Sequence, residues 1–345
     1  MRRAGDEAVG VGSGSVAEQS RIGDHVPGVA GLVVAQPPLP LLRLAVRSGE
    51  DAFAHPAEVD FARILTYYRV PWAYEPTAFV LARAADGRPT QVFTPDFYLP
   101  DQRLYVELTT MRQRLVTRKN RKVRRLRELF PNVRIKLLYR RDYHRLLLSY
   151  RRPVRDPAPL PTCRPGAILF TEVAIRARAD ELAGTIAADL AADPATGTAP
   201  PLLLGVGGGA EAFLGLLEAG LAARGVACES DRIAVTRYRG SDGTCRVRVR
   251  RGPRAELAGR RILLVEDVVS TGLSLRYLIG WLRRRRATEV RVCALLDRRA
   301  ARLCDVPIRY AAFEAPNQVL VGFGLHLRRR FRDLPYIALL EDGTE

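Results

Sequence analysis

Two adjacent carboxylates, followed by two hydroxyls and a glycine, mark the most informative run of the sequence. Glu266 and Asp267 follow the apolar stretch Arg261–Val265, and a Ser-Thr-Gly triplet at 270–272 precedes Leu273. We predict a buried strand that ends in the two acids and a turn that opens a helix, whose free N–H groups and neighbouring hydroxyls suit a phosphate. Because adjacent strand residues point to opposite faces, the turn has to redirect the acids before they bind vicinal hydroxyls or a sugar-bound Mg²⁺. A strand with an Asp cap and a Thr-Gly turn explains any two of these features but not all of them together.

A second group of carboxylates lies in the first half of the chain. Asp96 follows a proline, and Glu107 lies within an apolar run, on stretches that we predict to be adjacent antiparallel strands. The two acids can therefore meet at one divalent cation, with Glu58 on the preceding helix as a third ligand.

Both groups need elements that place them. In the first half, hydrophobic periodicity and turn residues predict the order αβββαβ, with an Asp86-Gly87 turn between the first two strands. The predicted elements are the helix Glu58–Val70, the strands Ala73–Ala82, Gln91–Leu99 and Leu104–Thr110, the basic helix Thr117–Leu129, the strand Val133–Tyr139 and a last short helix.

The second half alternates strands and helices, which predicts a doubly wound, mostly parallel sheet with its ligand site at the carboxyl ends of the strands. The predicted helices are Glu172–Ala191, Glu211–Ala223 and Leu273–Arg285, and the predicted strands are Pro201–Val206, Arg232–Tyr238, Arg246–Arg250, Arg261–Val265 and Glu289–Leu296.

Composition divides the 345 residues into four segments, which fits about two domains at the usual size of ~150 residues. Residues 1–52 form a low-complexity tail that we expect to be disordered, and residues 53–150 form the first domain. A linker with five prolines spans 151–165, and the second domain spans 166–345.

Several classes of protein are excluded by composition. A hydrophobic content of 47% with a mean hydropathy of −0.08 excludes a collagenous, fully disordered or membrane protein. Acids at positions 6 and 7 argue against a signal peptide, so we expect a cytoplasmic protein. Five cysteines without a CxxC pair predict reduced thiols and neither disulfides nor structural zinc.

The net charge of +18 is concentrated in one segment. Between Arg112 and Arg155 there are seventeen Lys and Arg residues against two acids. Such a block attracts phosphate-rich partners, and nucleic acid is the partner that we predict for residues 112–155. An Arg-rich composition with a solvated helix face is the alternative, since only three of the 55 basic residues are lysines.

The run 261–273 resembles the phosphoribosyl pyrophosphate signature of the type I phosphoribosyltransferases. The chain from Ala167 to Leu340 resembles the hypoxanthine-guanine phosphoribosyltransferases in particular. The segments that carry this resemblance are 168–172, 201–209, 234–238, 295–298, 313–316 and 331–336. The resemblance implies a mostly parallel sheet flanked by helices, Mg²⁺ as cofactor, phosphoribosyl pyrophosphate and a purine base as ligands, and a homo-oligomer.

The resemblance also implies a role for each matching residue. Those expected to bind the ribose hydroxyls, influence the metal and carry the catalytic chemistry are Glu266, Asp267 and Ser270. Those expected to hold the 5′-phosphate are Val268, Val269, Ser270, Thr271 and Gly272, and those expected to hold pyrophosphate are Gly208, Gly209 and Arg332. Arg237 and Tyr238 would belong to a mobile loop that closes over the site. Arg298 would face the exocyclic oxygen of the purine, and Val319 and Leu320 would cover its ring.

This sequence departs from the family pattern at several of those positions. Ser270 stands where the family has an acidic general base, and a serine hydroxyl has no useful proton affinity near neutral pH. Arg298 replaces a lysine, and Val319 replaces an aromatic residue. His326 replaces a late acid, and the glycine loop lacks the usual lysine at Gly208.

The first half resembles the PD-(D/E)xK nuclease fold across residues 55–148, on the motif Asp96 with Glu107 and the order αβββαβ. The family's lysine, two positions after the glutamate, is Thr109 here, and Lys119 or Lys122 on the next helix would replace it. For catalysis we favour a retained scaffold that binds nucleic acid or packs against its partner domain.

These features give two hypotheses. The leading one is a two-domain enzyme that transfers a 5-phosphoribosyl group to a purine in nucleotide salvage, with Mg²⁺. The alternative is a nucleic-acid-binding or nuclease protein whose degenerate second domain only senses the donor or a nucleotide.

Overall fold

A six-stranded sheet forms the centre of the second half in the computed structural model, which describes residues 53–109, 113–140, 142–143, 146, 163–192, 199–239, 245–326 and 330–342. Its strands are β8 (Leu202–Val206), β9 (Glu229–Arg239), β10 (Cys245–Arg251), β11 (Arg261–Val269), β12 (Glu289–Asp297) and β13 (Ile308–Glu314). They lie in the order β10-β9-β8-β11-β12-β13, and all pairs are parallel except β9 with β10. The predicted mostly parallel sheet is confirmed.

Three helices cover this sheet: α3 (Glu172–Ala192), α4 (Glu211–Ala222) and α5 (Leu273–Arg283). Alternate residues of the central strands are buried on opposite faces, as in Leu263 against α3 and α4 and Leu264 against α5. Burial on both faces explains why these strands are continuous apolar runs.

A separate three-stranded antiparallel sheet has the order β14-β15-β7. Its strands are β7 (Cys163–Phe170), β14 (Leu320–Val321) and β15 (Ile337–Asp342). Strands β7, β13, β14 and β15 were not predicted, and β7 and β15 pair although they lie near opposite ends of the second half of the chain. Residues 163–165, predicted to belong to the linker, are the first residues of β7 and pair with β15.

The first half contains a four-stranded sheet of order β1-β4-β5-β6 and a separate hairpin of β2 and β3. The elements are α1 (Pro56–Tyr67), β1 (Ala73–Tyr74), β2 (Phe79–Arg83), β3 (Pro89–Phe93), β4 (Phe97–Leu99), β5 (Leu104–Thr109), α2 (Gln113–Leu129) and β6 (Arg134–Tyr139). Each of the first two predicted strands is split in two, because Glu75 with positive φ interrupts the first and Pro95 follows the end of β3. The predicted Asp86-Gly87 turn is confirmed, since the Gly87 amide donates to the Ala84 carbonyl at 2.9 Å.

The two helices cover opposite faces of β5. Leu104, Val106 and Leu108 pack in the cluster of α1, whereas Tyr105 packs with Val123 and Leu126 of α2. β4 and β5 are antiparallel, as predicted, and β5 and β6 are parallel.

The α1 cluster also contains residues of the second half, namely Leu273, Leu303 and Cys304. All described residues belong to one compact unit, 37–345. The predicted tail 1–52 and most of the predicted linker lie outside the described residues. In the described part of the chain no helix is long and apolar enough to cross a membrane, and the thiols of Cys163, Cys228, Cys293 and Cys304 are free.

Candidate active site

The predicted carboxylates lie inside β11 and not in a turn after it. The prediction that the strand ends at Val265 is wrong, because β11 continues to Val269, which pairs with Asp297 of β12. Glu266 and Asp267 are therefore held by a central strand with neighbours on both sides. No turn redirects them, and their backbone positions are fixed by the sheet.

Burial dominates the electrostatics of both acids. It raises the pKa of Glu266 well above its ordinary value, and the neighbouring Asp267 raises it further. Burial also raises the pKa of Asp267, although its bond from the Val268 amide at 2.8 Å and the charges of His326 and Arg298 act in the opposite direction. A nearby cation would favour the ionised forms of both groups.

One oxygen of Glu266, Oε2, is buried without a hydrogen-bond partner. A buried carboxylate oxygen of this kind is an oxygen donor that fits Mg²⁺, which usually takes one or two carboxylates together with substrate phosphates. Among the described residues no group of three or more His, Cys, Asp and Glu side chains can hold a metal ion by itself. The site thus fits a cation that arrives with a phosphorylated ligand.

The glycine loop between β8 and α4 lies against Asp267. A Cβ atom on Gly209 would overlap Asp267 Oδ2, so only glycine permits this approach. The guanidinium of Arg332 donates to the Gly208 carbonyl at 2.5 Å and lies 3.6 Å from Glu211 at the start of α4. The structure thus brings Gly208, Gly209, Asp267 and Arg332 together, although they are spread over more than 120 residues.

The Ser-Thr-Gly turn leads directly into α5. Gly272 is the N-cap, with φ of 80°, and the Leu273 amide makes a long hydrogen bond of 3.4 Å to Thr271 Oγ1. The other amides of the first turn lack intrahelical partners, so the helix N-terminus can bind an anion. The Thr271 carbonyl accepts the amides of Leu303 at 2.9 Å and Cys304 at 3.0 Å. The phosphate-loop geometry is therefore fixed by a distant turn at 303–304.

The three residues predicted to contact a purine differ in position and exposure. The Arg298 amide donates to the Val269 carbonyl at 2.9 Å, which places Arg298 beside the carboxyl end of β11. Val319 is 40% exposed, whereas Leu320 is 6% exposed and packs in the core. Leu320 pairs with Leu339 of β15, and its role in covering a ligand ring stays a prediction.

The two residues predicted to lie in a mobile closing loop lie in a strand. Arg237 and Tyr238 belong to β9 and pair with Val247 and Arg246 of β10, so they extend a hairpin. The residues that connect the two strands, 240–244, lie outside the described residues.

Asp297 is a further candidate functional residue, which was not among the predicted site residues. This acid ends β12 beside Arg298, is 5% exposed, and pairs with Arg302 and, at 3.2 Å, with Arg299. An acid at the end of an apolar run, followed by several arginines, was the signal that could have identified it.

In the first half, Asp96 and Glu107 meet as predicted. The Asp96 amide donates to Glu107 Oε2 at 3.2 Å, and Asp96 Oδ2 accepts the Leu108 amide at 2.6 Å. Lys119 Nζ lies 2.5 Å from Glu107 Oε1 and donates to the Leu108 carbonyl at 2.9 Å. Lys122 instead donates to the Val92 carbonyl, so the structure selects Lys119 as the partner of the acids.

Burial, together with the charge of Glu107, raises the pKa of Asp96 to about 7. Burial also raises the pKa of Glu107, while Lys119 acts in the opposite direction. The Thr109 hydroxyl, on the same strand face as Glu107, is buried without a hydrogen-bond partner.

Glu58 does not join these acids in a three-carboxylate site. Its Oε2 accepts the Tyr74 hydroxyl at 2.7 Å and the amides of Ala54 and His55, as part of the capping box that starts α1. The prediction of Glu58, Asp96 and Glu107 as three ligands of one ion is therefore wrong within the described residues.

Known proteins match the second half of the chain. The model of the phosphoribosyl transferase domain matches residues 174–325. The hypoxanthine-guanine phosphoribosyltransferase of Streptococcus agalactiae is 31% identical over 176 residues, which cover 51% of this chain and 93% of that protein. The chain belongs to the phosphoribosyltransferase family. It is therefore a phosphoribosyltransferase enzyme, and the predicted resemblance of the second half is confirmed.

Two further matches concern bacterial and trypanosomal proteins. The bifunctional protein TilS/HprT of Listeria monocytogenes is 34% identical over 142 residues, covering 41% of this chain and 22% of that protein. A crystal structure of the hypoxanthine phosphoribosyltransferase of Trypanosoma cruzi is 30% identical, covers 52% of this chain and 98% of that one, and has a TM-score of 0.47. The family model leaves residues 53–173 of the phosphoribosyltransferase unmatched.

Proposed function

We propose that this phosphoribosyltransferase moves the 5-phosphoribosyl group from phosphoribosyl pyrophosphate to a purine of the hypoxanthine and guanine type, in purine salvage. The observation that carries the proposal is the convergence of Gly208, Gly209, Asp267 and Arg332 beside the open N-terminus of α5. The names of the matched relatives agree with it. They also favour catalysis over the alternative of a degenerate domain that only senses the donor.

Each part of the donor has a partner in this arrangement. The N-terminal turn of α5, with Val268 to Gly272, holds the 5′-phosphate, and Glu266 and Asp267 bind the ribose hydroxyls. The amides of Gly208 and Gly209 and the guanidinium of Arg332 hold the pyrophosphate. Bound Mg²⁺, held through Glu266 or Asp267, would offset the charge that develops on the leaving pyrophosphate.

The side of the site that binds the acceptor purine departs from the family pattern. Arg298 faces the exocyclic oxygen of the base with a planar fork of donors, and Val319 covers one face of its ring. Ser270 accepts no proton near neutral pH, so turnover rests on positioning and charge stabilisation, and proton transfer of the kind worth ~10²–10⁴-fold is absent.

The direct test is pyrophosphate release from phosphoribosyl pyrophosphate and Mg²⁺ with hypoxanthine, guanine, xanthine, adenine or no base. We expect release that depends on hypoxanthine or guanine and is lost with EDTA. Asp267→Ala should abolish donor binding, and Asp96→Ala, the matched control in the first half, should retain it. Silence of the folded protein with every base, or full donor affinity in Asp267→Ala, would refute the proposal.

A second site is supported by the contacts of Asp96, Glu107 and Lys119. We propose that residues 53–150 form a domain of the PD-(D/E)xK kind, in which Lys119 of α2 stands in for the missing strand lysine. The exposed Arg118, Arg121 and Arg124 on the same helix suit a phosphate backbone. The two acids then bind a divalent cation together with a scissile phosphate.

A magnesium-dependent DNA nicking assay tests this second site. Wild type should nick supercoiled DNA, and Glu107→Ala should not, while Glu128→Ala, an exposed acid on α2, serves as control. Equal nicking by wild type and Glu107→Ala would remove Glu107 from any nuclease mechanism. DNA binding without nicking in both proteins would show that this domain binds nucleic acid as a scaffold and does not cleave it.

A further inference from the structure

A lysine of the first half reaches into the transferase half. Lys136 lies on β6, and its ammonium donates to the carbonyls of Ala300 and Arg302, both at 2.6 Å. These carbonyls belong to the short 3-10 helix Arg299–Ala301 and its C-cap. The carbonyls at a helix end lack intrahelical partners, so a cation there satisfies groups that would otherwise need water.

This turn contacts both the proposed purine site and the proposed phosphate loop. It begins directly after Arg298, and its residue Arg302 also pairs through its side chain with Asp297 at the end of β12. Its last residues, Leu303 and Cys304, donate their amides to the Thr271 carbonyl of the phosphate loop. A shift of the turn therefore moves the purine-facing residue and the phosphate loop together.

Burying the ammonium of Lys136 costs free energy, which argues that this residue does more than hold the two halves together. The ammonium donates to two neutral carbonyls, and burial lowers the pKa of Lys136 to about 8. The nearby Asp142 favours the charged form, and Arg302 opposes it. An apolar residue would join two packed surfaces without this cost.

We propose that Lys136 is a positioning residue for phosphoribosyl transfer, which fixes the turn 299–304 and through it the relative placement of Arg298 and Thr271. The proposal rests on the function proposed for the second half. It gives the first half a part in that reaction which is independent of any nuclease activity. The contacts that distinguish it from general packing are the two hydrogen bonds of a single ammonium.

The test compares Lys136→Met, Lys136→Gln and Lys136→Arg with wild type in the full chain, by steady-state pyrophosphate release. Lys136→Met removes both hydrogen bonds, so the residues that bind the purine and the donor lose their relative placement, and KM for both should rise by about tenfold or more. Lys136→Gln keeps one donor and should be intermediate. Lys136→Arg keeps the cation and should restore at least half of the lost kcat/KM.

Arg83→Met is the matched control. Arg83 also donates to a backbone carbonyl, that of Gly87, but within the exposed β2–β3 hairpin. It should leave both KM values unchanged. A purely structural loss in Lys136→Met would reduce the amount of folded enzyme and the apparent kcat while leaving KM intact, and this result would overturn the proposal.

The outcomes separate this inference from the function on which it rests. A wild type that is inactive with every base refutes the proposed function, and the same variants are then compared by their Kd for phosphoribosyl pyrophosphate. An active wild type with unchanged KM values in both Lys136→Met and Lys136→Gln refutes the positioning role. If Lys136→Met does not fold, Lys136→Gln and Lys136→Arg decide the question.

Discussion

Ser270 is the residue at which the proposed site departs furthest from the family pattern. It lies between a buried strand and an open helix terminus, close to the acids of β11. The proposed donor side keeps its carboxylates, glycines and arginine, so we expect the change at Ser270 to affect proton transfer more than donor binding.

Restoring a carboxylate at this position should raise activity. We expect Ser270→Asp to increase kcat with hypoxanthine by about tenfold or more, within the ~10²–10⁴-fold range of general base catalysis. With saturating donor, Ser270→Ala should match the kcat of wild type, because the hydroxyl is not a base, and the loss of its hydrogen bond to the 5′-phosphate should appear in KM for the donor. A kcat for Ser270→Asp that does not exceed that of Ser270→Ala would show that proton transfer does not limit this enzyme.

Asp96 makes a second prediction at the residue scale, in the pH dependence of stability. Its folded pKa of about 7 lies above the ordinary value of 3.8, so the folded state holds the proton more tightly than the unfolded state. The resulting stabilisation is complete below pH 3.8 and is lost as the pH rises through 7. Asp96→Asn cannot ionise and avoids this loss.

We therefore expect Asp96→Asn to gain stability over wild type between pH 5 and pH 8, by about 2–4 kcal/mol in the free energy of unfolding. Urea denaturation in EDTA measures this difference. Asp86→Asn is the control, since hydrogen bonds from Arg88 lower the pKa of that exposed carboxyl. A constant difference between Asp96→Asn and wild type across this range would contradict the raised pKa.

At the scale of elements, the turn between β11 and α5 determines the backbone conformation of the proposed phosphate loop. Gly272 has positive φ, and a Cβ atom on it would lie 2.6 Å from the Cys304 carbonyl oxygen. Both the backbone conformation and the space therefore require glycine. Gly280, on the same helix, has only the mobile end of Arg284 near its Cβ direction, at 3.4 Å.

The two glycines form a matched pair. Gly272→Ala should weaken the affinity for phosphoribosyl pyrophosphate by about tenfold or more, because strain of ~1–3 kcal/mol displaces the loop. Gly280→Ala should keep donor affinity and gain up to ~1 kcal/mol of stability from helix propensity. Titration calorimetry with the donor checks both, and equal affinities in the two variants would contradict the assignment of the loop.

At the scale of the whole molecule, the two halves share a hydrophobic core. Phe61 of α1 is fully buried in the cluster that contains Leu273, the first residue of α5, and Leu303 of the positioning turn. Polar contacts also join the halves, among them the exposed ion pair of Arg276 with Asp101. Burial of apolar surface stabilises the junction far more than exposed ion pairs do.

Phe61→Ala should therefore destabilise the chain by about 3–5 kcal/mol and weaken donor binding, because the cavity forms in the cluster that also contains Leu273, the first residue of α5. Asp101→Ala should cost about 1 kcal/mol or less. Thermal unfolding followed by circular dichroism and by donor binding measures both effects. Loss of stability in Phe61→Ala with unaltered donor affinity would show that the shared core does not reach the active site.

The sequence determined the parts of this protein that depend on local order. The phosphate loop was predictable because an apolar strand, two acids, a Ser-Thr-Gly turn and a helix start follow one another within thirteen residues. The central parallel strands were predictable because burial on both faces makes them continuous apolar runs. The pairing of Asp96 with Glu107 followed from two antiparallel strands that are neighbours in sequence.

Tertiary structure alone decided the contacts between distant segments. Arg332 reaches Gly208 across 124 residues, and Lys136 reaches Ala300 across 164 residues. The short strands β14 and β15 and the burial of Leu320 depend on pairing with partners elsewhere in the chain. Local propensity carries no information about such pairings, because their stability comes from burial and hydrogen bonds that exist only once the chain has folded.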